Sequence, residues 1–287
     1  MAVGEIVGSG KYTYEVDKTW GRRDGTFSRF GVTQGVSGDS QDRIYVFQRS
    51  PIAEMLVFDR NGKLLSRWGE GTFLHPHGVW VSPQDELYLT DRDANTTLKC
   101  TLDGKVLQTW GTHGRPGAPG QPFNQPTKAV VTPDGEMYVS DGYGQHRVHR
   151  FGRDGNLISS WGEKGTGPGQ FALPHDVWVE HKDQVLICDR ENDRVQVFDR
   201  AGKYLTEWTG LKNPMQIFVR DGLMYMAHSK HAVSVRTLEG EELASWPYQS
   251  VTPRRENSPH SIWADSRGDI YVGEVTGEDG FQKFVRQ

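Results

Sequence analysis

Apolar residues along this chain fall in short runs cut by glycine and charged residues, and the same order of runs returns at a fixed interval. Residues 35–69 set the template: an apolar run, a Gly/Asp turn, Ile44-Tyr45-Val46-Phe47, a charged loop, Met55-Leu56-Val57-Phe58, an Asn61-Gly62-Lys63 turn and a closing Trp68-Gly69. The template recurs over residues 77–111, 127–162 and 175–210, more loosely over 215–246, and incompletely over 260–287. Apolar runs this short, bounded by turn residues, predict strands rather than helices. The inner turns Asp103-Gly104, Asp134-Gly135 and Asp154-Gly155 predict two-residue type I′ hairpins, so each unit is read as four antiparallel strands.

Six four-stranded units of roughly 40–50 residues predict a six-bladed β-propeller, an all-β fold, with residues 1–287 as a single domain. The sixth unit stops after its third strand, at Phe284-Val285-Arg286-Gln287. Residues 12–21, ending in Trp20-Gly21, have the pattern of the missing strand and are expected to complete that blade, which would close the ring and remove its edge. Residues 112–121 and 163–169, rich in Gly and Pro, predict irregular surface loops.

Composition adjusts this picture only slightly. With 33 Lys and Arg against 37 Asp and Glu, interspersed, a net charge of -4 gives no basic stripe for nucleic acid and no polybasic membrane patch. No apolar run is long enough to span a membrane, and the first residues lack the basic and apolar stretches of a secretion signal. The two cysteines, Cys100 and Cys188, sit at different places in different units, which argues against a disulfide framework. A cytoplasmic location is the expectation.

Candidate chemistry enters at one position. The residue opening the innermost strand runs Gln34, His77, Thr127, His175, Met215, His260, so histidine occupies alternate units. Blades in a six-membered ring turn by about 60°, which sets alternate blades about 120° apart and aims the three imidazoles at one spot. Three histidines plus an open position make a catalytic zinc arrangement, although imidazoles accept other divalent metals too. The competing explanation is that Pro-His is an ordinary way to enter the inner strand, with each ring bonding only to backbone. The remaining histidines, His75, His113, His146, His149, His181, His228 and His231, share no such register and are read as surface or loop, with His228 an outside candidate. The turn after the second strand carries Arg49, Arg92, Gly142-Tyr143 and Arg190 in successive units, and arginines there suit a carboxylate substrate. An aspartate that bonds its own turn, followed by a solvated arginine, is the plainer account of Asp-Arg.

The repeats resemble NHL repeats. The ordered set Gln125-Pro126-Thr127, residues 138–143, Gly169-Gln170-Phe171, Leu173-Pro174-His175, residues 189–192 and Pro259-His260 is similar to the peptidyl-α-hydroxyglycine α-amidating lyase family over nearly the whole chain. That resemblance implies a six-bladed zinc propeller that splits an N-acyl-α-hydroxyglycine into an amide and glyoxylate. It implies zinc on His77, His175 and His260, a catalytic Tyr143, and site arginines Arg49 and Arg190. It also implies a calcium site using the carbonyls of Val36 and Val79, but Ser261 stands where the family has the liganding acid, which should weaken calcium binding. Arg92 and Lys128 are additional cations that point to a more anionic substrate. A small carboxylate-bearing substrate is therefore expected. A lactonase-like metal hydrolase or hydro-lyase and a non-catalytic NHL scaffold are the alternatives.

Overall fold

The computed structural model describes residues 4–22, 25, 27–180, 183–230, 232–249, 258–276 and 279–287. It is an all-β six-bladed propeller whose blades are four-stranded antiparallel sheets, except the last, which has five strands. Helix is confined, among the described residues, to one 3-10 turn at Arg190–Asn192. Among the described residues no helix is long and apolar enough to cross a membrane.

The three inner strands of each blade are mostly buried and the outermost has few or no buried residues. In the third blade Pro126–Val131 and Met137–Asp141 are almost wholly buried, whereas Leu157–Trp161 has no buried residue. This gradient is why the inner segments read as near-continuous apolar runs.

The hairpin turns differ from expectation. Gly135 donates its N–H to the Thr132 carbonyl (2.9 Å) and Thr132 donates to the Glu136 carbonyl (2.8 Å), a three-residue loop rather than a two-residue one. Gly135 has φ +95° while Asp134 does not enter the left-handed region, so the turn is type I with a bulged glycine; type I′ needs positive φ at both central residues. The same bonds recur at Thr101, Gly104 and Lys105 and at Gly152, Gly155 and Asn156.

The chain divides into two compact units. One comprises Met1–Glu70 with Gln216–Gln287, the other Gly71–Met215. In the first, the strand Tyr12–Asp17 pairs antiparallel with Phe281–Arg286, completing the sixth blade as the sequence predicts. A further strand, Ile6–Ser9, folds back on Tyr12–Asp17 and was not expected. Its signal is the Ser9-Gly10-Lys11 turn, with Gly10 at φ +57°. This unit's core is aromatic: Trp20, Phe30, Phe58, Trp263, Tyr271 and Phe281 are each at most 1% exposed.

The second unit holds blades two to four, with a core of Val139, Val148, Phe151, Phe171, Val177, Ile187 and Phe198 among others. One of the loops expected to be irregular contains a short parallel pairing, Glu163–Lys164 with Gln170–Phe171. Both cysteines are buried and unbridged, and burial pushes the Cys100 thiol up to about 11.

Candidate metal and proton-transfer site

In blades two, three and four the second strand ends in a buried aspartate: Asp91, Asp141 and Asp189. Each ties down the backbone that leads into the inner strand. Asp91 accepts the N–H groups of Leu74 (2.7 Å) and His75 (2.9 Å). Asp141 accepts that of Asn124 (2.8 Å), and Asp189 accepts those of Ala172 (2.9 Å) and Leu173 (3.3 Å). A proline then opens the strand, and a bulge follows, since the pairing register slips after Pro76, Pro126 and Pro174. A bulge re-aims the side chain of the extra residue. The residues at these bulges are His77, Thr127 and His175, all buried.

The two histidines of this unit are oriented alike. His77 Nδ1 lies 2.8 Å from the Thr127 carbonyl oxygen and His175 Nδ1 lies 2.8 Å from that of Met215. A carbonyl only accepts, so the proton sits on Nδ1 and the neutral ring presents an unprotonated Nε2. The Tyr143 hydroxyl is 3.3 Å from Nε2 of His77 and 3.3 Å from Nε2 of His175. The two imidazole rings are 4.9 Å apart between centroids. Arg190 donates from Nη1 to the Tyr143 oxygen at 3.2 Å, and the Arg92 guanidinium lies 4.9 Å from the Tyr143 ring centroid. One phenol oxygen thus faces two imidazole acceptors and a guanidinium donor. Having a single proton, it can serve only one imidazole at a time.

His260, in the other unit, is built the same way. Its register slips between Pro259 and Ser261, it is 5% exposed, and its Nδ1 lies 2.6 Å from the Gln34 carbonyl oxygen. His260 thus presents its Nε2 as His77 and His175 present theirs. Three neutral nitrogen donors, each fixed in tautomer by a carbonyl, fit a zinc-like cation and resemble the outer-shell orientation of known ligating histidines.

The other predicted residues separate. Arg92 pairs with Asp93 (2.8 Å) and Arg190 with Glu191 (2.7 Å). Burial works against ionisation of Asp93, but the hydrogen bond and charge of Arg92, with His75, outweigh it and hold the carboxyl below its ordinary range. Lys128 is 4% exposed and pairs with Asp176 at 3.3 Å. The neighbouring Cys188 thiol is pushed well up, by burial first and then by the Asp176 charge. Arg49 lies half-buried near the end of Ile44–Ser50 in the first unit. Val36 and Val79 are buried, one in each unit, and Ser261 offers a buried hydroxyl where an acid would be needed for calcium.

Two histidines read as surface or loop, His149 and the outside candidate His228, are buried instead. His149 is held between Ser160 (2.7 Å) and Asp141 (3.1 Å), and His228 bonds Ser234 (2.8 Å). Each lies on an inner strand whose neighbours supply a polar partner, a cross-strand match that the repeat register does not reveal. His181 and His231 lie outside the described residues. Sequence reasoning also missed Asp93, Glu191 and Asp176. The first two were visible as the acids directly following Arg92 and Arg190.

The family described as 6-bladed beta-propeller matches residues 125–234. NHL repeat-containing protein 3 of Mus musculus is 30% identical over 295 residues, covering 95% of this chain and 84% of that protein. Peptidyl-alpha-hydroxyglycine alpha-amidating lyase 1 of Drosophila melanogaster is 32% identical over 200 residues, 64% of this chain and 34% of that protein. Among solved structures, a gluconolactonase from Xanthomonas campestris superposes with a TM-score of 0.68 at 13% identity, covering 100% of this chain and 99% of its own, a likeness of fold alone.

Proposed function

Because this chain belongs to the NHL-repeat family of six-bladed β-propellers, the open question is the chemistry of its histidine site, and we propose that it is a metal-dependent lyase. The proposed substrate is a small carboxylate-bearing α-hydroxy compound of the carbinolamide type, split into an amide and glyoxylate. The observation that carries this reading is the Tyr143 hydroxyl, which lies 3.3 Å from each of two Nε2 atoms and accepts a hydrogen bond from Arg190. Similarity to proteins named as amidating lyases supports it.

His77, His175 and His260 would hold the cation, with zinc the best match to the donor set. When bound, it supplies Lewis acidity toward the substrate hydroxyl. Tyr143 moves the proton. Its oxygen takes the hydrogen of the carbinol hydroxyl as its own hydrogen passes to the departing amide nitrogen. The C–O bond gains double-bond character as the C–N bond breaks, and the C–N electron pair leaves on nitrogen. Nothing is oxidised, so no redox cofactor is needed. Arg49, Arg92 and Arg190 are the proposed cations for the carboxylate, while Lys128 is already engaged by Asp176. Two unbridged thiols suit a reducing compartment, and we place the reaction in the cytoplasm.

A scaffold reading has one observation in its favour. A relative that covers 95% of this chain is named only for its repeats. Elemental analysis of tag-free protein beside His175→Ala separates the two. About one zinc-like ion per chain, lost in the variant, with glyoxylate released from an N-acyl-α-hydroxyglycine, is the expected result. No metal in either protein after reconstitution would overturn the lyase reading.

A further inference from the structure

Arg92 and Arg190 occupy equivalent turns of blades two and four, on either side of Tyr143 in blade three, and each is followed by an acid. Their hydrogen bonds are not equivalent. Arg190 spends Nε and Nη2 on Glu191 (2.9 and 2.7 Å) and Nη1 on the Tyr143 oxygen (3.2 Å). Arg92 spends Nε and Nη2 on Asp93 (2.8 and 3.4 Å), leaving Nη1 uncommitted among the described residues. Its side chain is also the more exposed of the two, 23% against 16%.

Arg92 is nevertheless held in place. Its own N–H donates to the His75 carbonyl (3.0 Å), and the same residue's ring lies 3.3 Å from Asp93, which grips the far edge of the guanidinium. The central carbon of that guanidinium lies over the Tyr143 ring, 4.9 Å from its centroid. A planar fork with one edge anchored and the other uncommitted is organised to receive a carboxylate beside the phenol oxygen.

We infer that Arg92 is the residue that selects the substrate's carboxylate, and that Arg190 is a positioning residue that holds the Tyr143 oxygen. This inference rests on the reading of the site as one that takes an N-acyl α-hydroxy acid. It narrows the three cations proposed above for the carboxylate, and differs from the family resemblance, which implies Arg49 and Arg190 as the site arginines.

The test pairs binding with turnover in the metal-loaded full chain. N-benzoylglycine lacks the hydroxyl and is not consumed, so its affinity can be measured by titration calorimetry beside that of its neutral carboxamide. Arg92→Gln should weaken N-benzoylglycine at least ~10-fold while leaving the carboxamide within ~2-fold, and Arg190→Gln should weaken N-benzoylglycine by no more than ~3-fold. Arg92→Lys, which keeps the charge without the fork, should fall between wild type and Arg92→Gln. With N-benzoyl-α-hydroxyglycine, Arg92→Gln should mainly raise KM and Arg190→Gln mainly lower kcat. Equal losses in the two Gln variants, an Arg92→Gln loss shared by the carboxamide, or no binding of N-benzoylglycine to the wild type would each overturn the assignment. Selective binding through Arg92 without glyoxylate release would leave it standing and remove the lyase reading instead.

Discussion

The hydroxyls on the innermost strands differ between the two units, although on a third strand of the second unit the buried Thr97 hydroxyl also has no hydrogen-bond partner among the described residues. In the second unit the Gly78 N–H donates to Thr90 Oγ1 (2.7 Å), Thr90 donates to the Thr127 carbonyl (2.8 Å), and the Thr127 hydroxyl reaches Ser140 Oγ (2.6 Å) and the Pro174 carbonyl (3.1 Å). The Thr127 carbonyl also orients His77. In the first unit Thr33 and Ser261 are fully buried, yet their hydroxyls have no hydrogen-bond partner among the described residues. What that unit has instead is aromatic mass: Trp20 packs within 5.2 Å, centroid to centroid, of Phe58, Tyr271 and Phe281. The second unit's inner strands are organised to fix polar atoms, and the first unit's to bury apolar surface where the chain's two ends pair.

If that division is right, damage to the second unit should fall on chemistry. Tyr143→Phe removes one oxygen that faces Nε2 of His77 and of His175, and should lower kcat for glyoxylate release by ~10²–10⁴-fold, the usual weight of a proton-transfer group. Its denaturant midpoint should stay close to wild type. A Tyr143→Phe protein with normal turnover would break the comparison at its strongest point.

Trp20→Ala is the converse. It removes a fully buried indole together with the bond from Nε1 to the Arg60 carbonyl (2.9 Å), and should cost about 3–5 kcal/mol in urea unfolding. The second unit's hydroxyl chain is next in size. Thr127→Val keeps the shape but strips partners from Ser140, and is expected to destabilise by about 1–3 kcal/mol. Thr33→Val and Ser261→Ala should be neutral or stabilising, within about 1 kcal/mol, because each deletes a buried hydroxyl that gains no bond within the protein. Equal losses for Thr127→Val and Thr33→Val would erase the contrast.

The sequence makes the blades legible because every unit repeats the same apolar runs and turn residues, and it makes the inner-strand histidines legible because alternation is visible once the units are aligned. Turn type was misread because Asp-Gly serves both two-residue and three-residue loops, and only the sign of φ at the aspartate separates them. The strand Ile6–Ser9 escaped notice because it belongs to no repeat. Buried His149 and the Lys128–Asp176 pair depend on partners 8 and 48 residues away, contacts that the propeller supplies and local spacing does not. What the resemblance added, Tyr143 above all, could not have been picked from the other tyrosines by periodicity.

The smallest effect concerns charge on the second unit's surface. Burial disfavours ionised Glu136, but hydrogen bonds from Arg150, Arg200 and Tyr138 overcome it and set its carboxyl below the ordinary value of 4.5. A depressed carboxyl contributes stability that is fully present above its unfolded value and is lost as the pH falls through the folded one. Wild type should therefore lose this contribution on acidification from about pH 4.5 downward, and Glu136→Gln should have a flatter acid limb with little change at pH 7. Both Arg150 (2.5 Å) and Arg200 (2.8 Å) reach Glu136 near solvent, so the difference should be no more than ~1 kcal/mol. Urea midpoints of the two proteins from pH 3 to 7 measure it. A larger effect than that of Thr127→Val would mean that surface charge, and not the buried hydroxyl chain, sets the second unit's polar stability.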